Sequence, residues 1–264
     1  MQKGDGGGRG VGLGFCVSRR GAETQRRKQQ KKGKREMNSQ YGSELHLLRW
    51  LGRHRDDLTL KVENATGLSN VRWKQFKFSS GSKAFDVEIK KLEFLTRKER
   101  ESVGTKYEKH LNPNWDAVAE GILDGKKTYV LVEAKAHIEE VGDNSEHGGS
   151  RKEEISQALE LAANDITGIA GIGEEWMGRY YQMANRLYVQ WVLNKSDISA
   201  IQLSLFFCGD VNNGYICPKT RAEWQDELLK EKKELRLTTP KAKEFLAQHY
   251  RELYIDVRSN RDII

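Results

Sequence analysis

The chain has 264 residues, of which 37% are hydrophobic and 31% are charged, and its formal net charge is +7. This length allows a sizeable buried core, and the apolar fraction is too high for a wholly disordered chain. No stretch approaches the roughly 18 apolar residues of a membrane-spanning helix. We therefore expect a folded protein that is not embedded in a membrane.

The number and spacing of the cysteines indicate the redox environment of the protein. Cys16, Cys208 and Cys217 are an odd number, and no two of them form a Cys-x-x-Cys pair. An odd number makes a poor disulfide framework and suits a reducing environment, and this spacing does not favour a structural zinc site. We expect a cytoplasmic location.

The basic charge is concentrated at the N-terminus. Residues 1–36 contain 11 Lys and Arg against 3 Asp and Glu, whereas residues 37–264 have a net charge of −1. Because glycine and like charges both oppose packing, we predict a disordered Gly-rich, basic tail at 1–36 and a folded domain at 37–264. A nucleic-acid partner for that nearly neutral domain has to be argued from a site rather than from overall charge.

The first third of the domain gives mixed signals. Ser43 is a predicted N-cap of a helix that carries leucines at helical spacing, namely Leu48, Leu51 and Leu58. Residues 85–89 alternate like a strand, and Thr96-Arg97-Lys98-Glu99 resembles a capping box that opens a short helix.

A hairpin is predicted in the middle of the chain. Two β-favouring segments, 115–123 and 128–138, flank Asp124-Gly125, which is a strong signal for a short hairpin turn. In the second segment, Tyr129-Val130-Leu131-Val132 is apolar on both faces, as in a central strand that is covered on both sides.

The remaining chain alternates helical and strand patterns. Ser150-Arg151-Lys152-Glu153 has the pattern of a capping box. It predicts a helix with a stripe of Ile155, Leu159, Ala162 and Ile166. A longer helix is predicted next, with the stripe Trp176, Tyr180, Ala184, Leu187 and Trp191. The apolar run at residues 201–208 predicts a buried strand, and Thr220 is a predicted helix cap. This order of elements indicates an α/β domain.

The register of the hairpin brings acidic residues together. A two-residue loop at Asp124-Gly125 places Asp116 opposite Glu133, whereas a four-residue loop places Asp116 opposite Lys135. In both cases these three residues share one face, because side chains repeat every second residue along a strand.

Two opposed carboxylates on an apolar hairpin cost free energy unless a positive group lies between them. Directly opposed Cβ atoms lie about 4.5–5.5 Å apart. Mg²⁺ typically binds one or two carboxylates together with waters and phosphate oxygens. The hairpin therefore predicts a cation site at Asp116 and Glu133, with the ammonium of Lys135 beside it.

Asn114-Trp115-Asp116 on one strand and Glu133-Ala134-Lys135 at the end of the next resemble the PD-(D/E)xK nuclease superfamily. The resemblance covers roughly residues 43–210 and implies a restriction-endonuclease-like α/β core of order α-β-β-β-α-β. In that core a mixed central sheet is flanked by helices. The chain departs from the pattern at Pro113, which lies two positions earlier than the family's nominal proline. Segments 115–117, 133–137 and 181–187 further resemble uncharacterised microbial members of the superfamily.

The resemblance implies a nuclease that depends on Mg²⁺ or Mn²⁺ and hydrolyses phosphodiester bonds, with DNA as the expected substrate. Asp116, Glu133 and the backbone carbonyl of Ala134 would bind the metal, and Lys135 would orient or deprotonate the attacking water. Further candidates are Gln182 as a polar residue from the long helix, Glu44 as an additional acid, and His137 and Arg186 as contacts to nucleic acid.

Several alternatives stay open. The acid-x-Lys pattern also occurs at Glu88-Ile89-Lys90 and Glu231-Lys232-Lys233, although neither ends an apolar strand. Glu44 is also explained by the preference for acids in the first turn of a helix. The hairpin charges could form a solvated ion cluster, which contributes little stability. The same fold could serve as a catalytically inactive nucleic-acid-binding or assembly module, and a metal site could hydrolyse a small phosphate ester.

Overall fold

The fold is organised around one strand that is buried on both faces. This strand, β5 (Lys126–Lys135), is buried from Thr128 to Ala134 and contains the β-branched and aromatic residues typical of a covered strand. The computed structural model describes residues 42–74, 88–104, 111, 113–142, 149–211 and 214–257.

The other strands of the described residues are β1 (Ser69–Trp73), β2 (Ile89–Lys90), β3 (Asn114–Trp115), β4 (Ala117–Leu123), β6 (Ala200–Cys208) and β7 (Tyr250–Asp256). The helices are α1 (Ser43–Arg53), α2 (Arg55–Thr66), α3 (Arg97–Val103), α4 (Lys152–Thr167), α5 (Gly173–Trp176), α6 (Tyr181–Lys195), α7 (Arg221–Glu234) and α8 (Pro240–His249). Short 3₁₀ turns lie at Ile138–Glu140 and Gly149–Arg151.

The central sheet has five strands in the order β1-β4-β5-β6-β7. The pairs β1/β4 and β4/β5 are antiparallel, whereas β5/β6 and β6/β7 are parallel. The short strands β2 and β3 form a separate antiparallel pair. The predicted α/β domain with a mixed central sheet flanked by helices is therefore confirmed.

The alternation of side chains along β5 divides the core into two layers. Tyr129 and Leu131 pack on one face with the buried stripes of α4 and α6. Val130 and Val132 pack on the other face, against buried residues of α1 and α2. This division matters for the site, because Glu133 and Lys135 continue the face that α4 and α6 cover.

Several local predictions are confirmed. All nine residues of β6 are buried. Thr96 forms the predicted capping box with Glu99, and the Thr220 side chain accepts the backbone N–H of Glu223 at 3.4 Å. The predicted stripe of α4 is buried: Ile155, Leu159, Ala162 and Ile166.

The ends of several helices differ from the prediction. Gly42 rather than Ser43 caps α1, and the Ser43 hydroxyl donates instead to Glu140 Oε1 at 2.9 Å. The prediction that Ser150 caps α4 is also wrong. A 3₁₀ turn spans Gly149–Arg151, and α4 begins at Lys152 without a side-chain cap.

The predicted long helix is interrupted between α5 and α6. The backbone turns at Gly178, where the N–H of Tyr181 donates to the Gly178 carbonyl at 3.1 Å. A Cβ at Gly178 would lie 3.1 Å from the carbonyl oxygen of Glu175, so the absence of a side chain eases this close approach. The apolar spacing persists through the interruption, and Trp176, Tyr180 and Leu187 are all buried.

Some predictions fall on parts of the chain that the structure does not describe. Residues 1–41 lie outside the described residues, so the tail at 1–36 and the domain boundary at residue 37 stay predictions. The same holds for positions 85–87 of the predicted strand at 85–89. Within the described ranges, no helix combines the length and apolar character needed to cross a membrane.

Candidate functional site

The hairpin between β4 and β5 has the two-residue loop. Leu123 pairs with Lys126 and Ala117 pairs with Val132, which is the register that brings Asp116 toward Glu133. Asp124 and Gly125 have φ values of 50° and 76°, as a type I′ turn requires. Of the two registers that the sequence allowed, the structure has the shorter loop.

Asp116 lies one residue beyond the regular pairing of β4. Its backbone N–H donates to the Val132 carbonyl at 3.1 Å, and its Oδ2 accepts the backbone N–H of Ala134 at 2.7 Å. Burial of the carboxylate and the nearby charge of Glu133 raise the pKa of Asp116 to about 8, against the opposing effect of Lys135. At neutral pH this carboxyl therefore holds a proton in the metal-free protein.

Glu133 lies between two cationic side chains. Its Oε1 accepts the Lys135 ammonium at 2.6 Å, and its Oε2 accepts the Arg186 guanidinium. Burial favours the neutral form, but the charges of Arg186 and Lys135 outweigh it and hold the pKa of Glu133 below its usual range. The two acids of the site thus differ in charge: Glu133 is ionised while Asp116 is protonated.

Lys135 and Gln182 join β5 to the first turn of α6. The Lys135 ammonium donates to Gln182 Oε1 at 2.8 Å in addition to its bond with Glu133. Because the predicted long helix is interrupted at Gly178, α6 begins at Tyr181. Gln182 therefore lies in the first turn of α6. The structure therefore brings together Asp116, Glu133, Lys135 and Gln182, four of the residues that the sequence singled out.

Arg186 belongs to the interior of the site. It is 8% exposed, and its guanidinium also donates to the backbone carbonyls of Gln182 at 3.1 Å and Asn114 at 3.3 Å. Its guanidinium forms an ion pair with Glu133, whose charge it balances. Its role as a contact to nucleic acid stays a prediction.

The positions of His137 and Glu44 are set by the end of β5 and the start of α1, respectively. His137 follows the end of β5, where its ring nitrogens face Glu139 and Glu140 at 3.3 Å and its ring packs on Tyr215. Glu44 is exposed in the first turn of α1, a helix that packs on the opposite face of the sheet from Glu133. The roles predicted for both residues are not tested by these positions.

A small cavity of about 20 Å³ adjoins the cluster. Its polar lining comes from β5, β6, α6 and α7 and consists of Glu133, Lys135, Gln182, Arg186, Gln202, Ser204 and Glu231. Within the described part of the chain, Gln202 Oε1 and Arg186 Nε have no hydrogen-bond partner. The volume suits a single water molecule, which would find several polar partners there.

Gln202, Ser204 and Glu231 are the polar residues of this lining that sequence analysis missed as site residues, and the ionisable one among them is Glu231. It is noted above only as part of a competing acid-x-Lys pattern. A signal was present, because Trp224, Leu228, Glu231 and Leu235 follow one another at helical spacing, which places an acid in an apolar stripe. The sequence did not show which strand that stripe would face.

A divalent cation at this site would meet the two carboxyl groups of Asp116 and Glu133. Asp116 and Glu133 would repel each other if both were ionised, and a cation bound to both would offset that repulsion and replace the proton on Asp116. Two carboxylates satisfy the protein ligands that Mg²⁺ usually takes. Across the described residues, no group of three or more His, Cys, Asp or Glu side chains is arranged to hold a metal ion. In their chemistry, these carboxylate oxygens are ligands of the kind that Mg²⁺ or Mn²⁺ takes, whereas structural zinc sites are built from cysteine and histidine.

Comparison with known proteins gives no further guidance: no protein-family model, no curated protein and no solved structure matches this chain.

Proposed function

We propose that this protein is a nuclease of the restriction-endonuclease-like type, which depends on Mg²⁺ or Mn²⁺ and hydrolyses phosphodiester bonds in nucleic acid. DNA is the substrate to test first. The observation that carries the proposal is the meeting of Asp116 and Glu133 on one face of a hairpin, with the Lys135 ammonium 2.6 Å from Glu133. The order of strands and helices around the hairpin is compatible with that type of core.

The two carboxylates would hold the metal, with the backbone carbonyl of Ala134 as a third proposed ligand. A divalent cation bound there would lower the pKa of a bound water and neutralise charge on a scissile phosphate. The chain's own contribution begins with Asp116, which has to release its proton before its carboxylate can bind a cation.

Lys135 is the proposed catalytic residue that meets the water and the phosphate. Its ammonium is held in place by Glu133 and Gln182, which limits the positions that it can take. A fixed positive charge at this point would orient the attacking water and stabilise negative charge that develops on the phosphate. Arg186 keeps Glu133 ionised through a buried ion pair.

The test is a cleavage assay on linear, circular and single-stranded DNA and on RNA, with Mg²⁺, Mn²⁺, Ca²⁺ or EDTA. We expect cleavage with Mg²⁺ or Mn²⁺ and none with EDTA or in the Lys135→Ala variant. Lys126→Ala, at the exposed start of the same strand, is the matched control and should retain activity. Cleavage that persists in EDTA would remove the proposed site from consideration.

A second candidate function is a catalytically inactive module that binds nucleic acid or assembles with a partner. The observation that favours it is the complete neutralisation of Glu133 by Lys135 and Arg186, which leaves an ion cluster that needs no metal to be stable. This alternative predicts binding of nucleic acid that is unaffected by EDTA and by Asp116→Asn, without cleavage of any substrate.

A further inference from the structure

Two glutamates lie on the buried face of α7, one turn apart. Glu227 and Glu231 are 5% exposed each, and the other buried residues of this helix are Trp224 and Leu228. A carboxyl group in such a stripe costs free energy unless it is paired or hydrogen-bonded. The partners of the two glutamates therefore indicate why each is present.

The contacts of Glu227 explain why its carboxylate can be buried. It accepts Arg179 at 2.8 Å, the Tyr180 hydroxyl at 2.9 Å and Lys230 at 3.1 Å. These bonds tie α7 to the segment between α5 and α6. Glu227 thus has a structural role, and it provides a matched comparison for Glu231.

Glu231 has no such partners. No hydrogen bond or ion pair within 4 Å joins its carboxyl to another residue in the described part of the chain. Burial raises the pKa of Glu231 to about 8, although the charges of Lys135 and Lys232 act in the opposite direction. Lys232 is already paired with Glu252 at 2.6 Å and does not line the cavity, whereas Lys135 lines the same cavity as Glu231.

Glu231 and Lys135 line the same cavity of about 20 Å³. The Lys135 ammonium has three N–H donors, of which two are used by Glu133 and Gln182 within the described contacts. A single water in the cavity can accept the third N–H and bond to the Glu231 carboxyl, since the volume is that of one water. Such a water would give the Glu231 carboxyl a partner and would use the third N–H of the Lys135 ammonium.

We propose that Glu231 is a positioning residue for Lys135, which holds the ammonium through a water in this cavity. The proposal rests on the role of Lys135 in the proposed function. Glu133 has to share its charge between Lys135, Arg186 and any bound cation, so its hold on the ammonium weakens when a cation binds. Glu231 supplies a second acid beside the ammonium, from a helix that carries none of the proposed metal ligands.

The test compares Glu231→Gln and Glu231→Leu with the wild type and with Glu227→Gln. Both Glu231 variants should fold about as stably as the wild type, because each removes the desolvation cost of a buried carboxyl and Leu suits the apolar stripe. Their kcat should fall by roughly tenfold or more while KM changes little, as expected for a group that acts through the catalytic lysine. Glu227→Gln should lower the melting temperature and leave kcat unchanged below it.

A second readout needs neither metal nor nucleic acid. The ¹⁵N resonance of the Lys135 ammonium, assigned by its loss in Lys135→Arg, should be displaced in Glu231→Gln and unmoved in Glu227→Gln. If the wild type cleaves, the inference requires both the lower kcat and the displaced resonance, and either result alone overturns it.

If the wild type does not cleave any substrate, the resonance decides alone. A displaced resonance then supports the coupling of Glu231 to Lys135 while the proposed function fails. An unmoved resonance overturns the coupling as well.

Discussion

The backbone N–H of Ala134 donates to Oδ2 of Asp116 at 2.7 Å, across the end of the hairpin. An amide oxygen can accept the same hydrogen bond, so Asp116→Asn keeps this contact and removes only the ability to ionise. Glu133 differs, because both of its oxygens bind cationic side chains that depend on its charge. The two acids of the site should therefore respond in opposite directions when each is neutralised.

Asp116→Asn should stabilise the protein increasingly as the pH rises. The folded-state pKa of Asp116, about 8, lies above its ordinary value of 3.8, so the folded protein retains a proton that the unfolded chain has lost. Stability of the wild type therefore falls between about pH 4 and pH 8, and the variant escapes this loss. We expect equal free energies of unfolding near pH 4 and a gain of at least about 1 kcal/mol at pH 8 in the variant.

Urea unfolding at a series of pH values measures this difference. Asp124→Asn removes the same charge from the exposed turn of the hairpin and reports the effect of net charge alone. A stability difference between Asp116→Asn and the wild type that stays constant with pH would contradict the prediction.

Glu133→Gln should destabilise the protein by about 3–5 kcal/mol, the usual cost of breaking a buried ion pair from one side. The variant leaves Arg186 and Lys135 buried beside a neutral amide. Denaturant unfolding measures the loss, and the double variant Glu133→Gln, Arg186→Met should recover part of it because it removes one of the uncompensated charges. Stability equal to that of the wild type would mean that the ion cluster contributes nothing.

Binding of Mg²⁺ or Mn²⁺ should strengthen as the pH rises toward about 8. The cation competes with the proton on Asp116, so the affinity should change by up to about tenfold per pH unit below that pKa and level off above it. The rise in melting temperature on addition of metal reports the binding by mass action. A metal effect that is independent of pH and unchanged in Asp116→Asn would exclude Asp116 as a ligand.

Lys135→Ala should separate metal binding from chemistry. The variant keeps both carboxylates, so metal should still raise the melting temperature, while cleavage should fall by at least about 10²-fold. Rates measured in single turnover distinguish a lost chemical step from weaker binding. If Lys135→Ala cleaves at the rate of the wild type, the catalyst lies elsewhere in the chain.

Local patterns in the sequence predicted much of the hairpin. Alternation along the strands and the Asp124-Gly125 turn put Asp116 and Glu133 on one face, and the apolar run 129–132 indicated the central strand. These features depend on neighbours in the chain, whose geometry is set by the backbone period of two. The choice between a two-residue and a four-residue loop stayed open until the structure was known.

Helix boundaries were harder to predict. The spacing of apolar residues continued from Trp176 to Leu187, yet the backbone turns between α5 and α6 at Gly178. Apolar spacing reports which side chains are buried, and burial can persist through a short turn without a continuous helix. The position of Gln182 in a first turn beside Lys135 follows from that interruption.

By itself, the sequence determined the α/β class, the hairpin and the three charged residues that share its face. Only the tertiary structure decided what surrounds them. Arg186 meets Glu133 and Glu231 borders the cavity beside Lys135 because α6 and α7 pack on the same sheet face. The periodicity of a helix indicates which of its side chains are buried but not which strand they will meet, because that depends on how the whole core fills its volume.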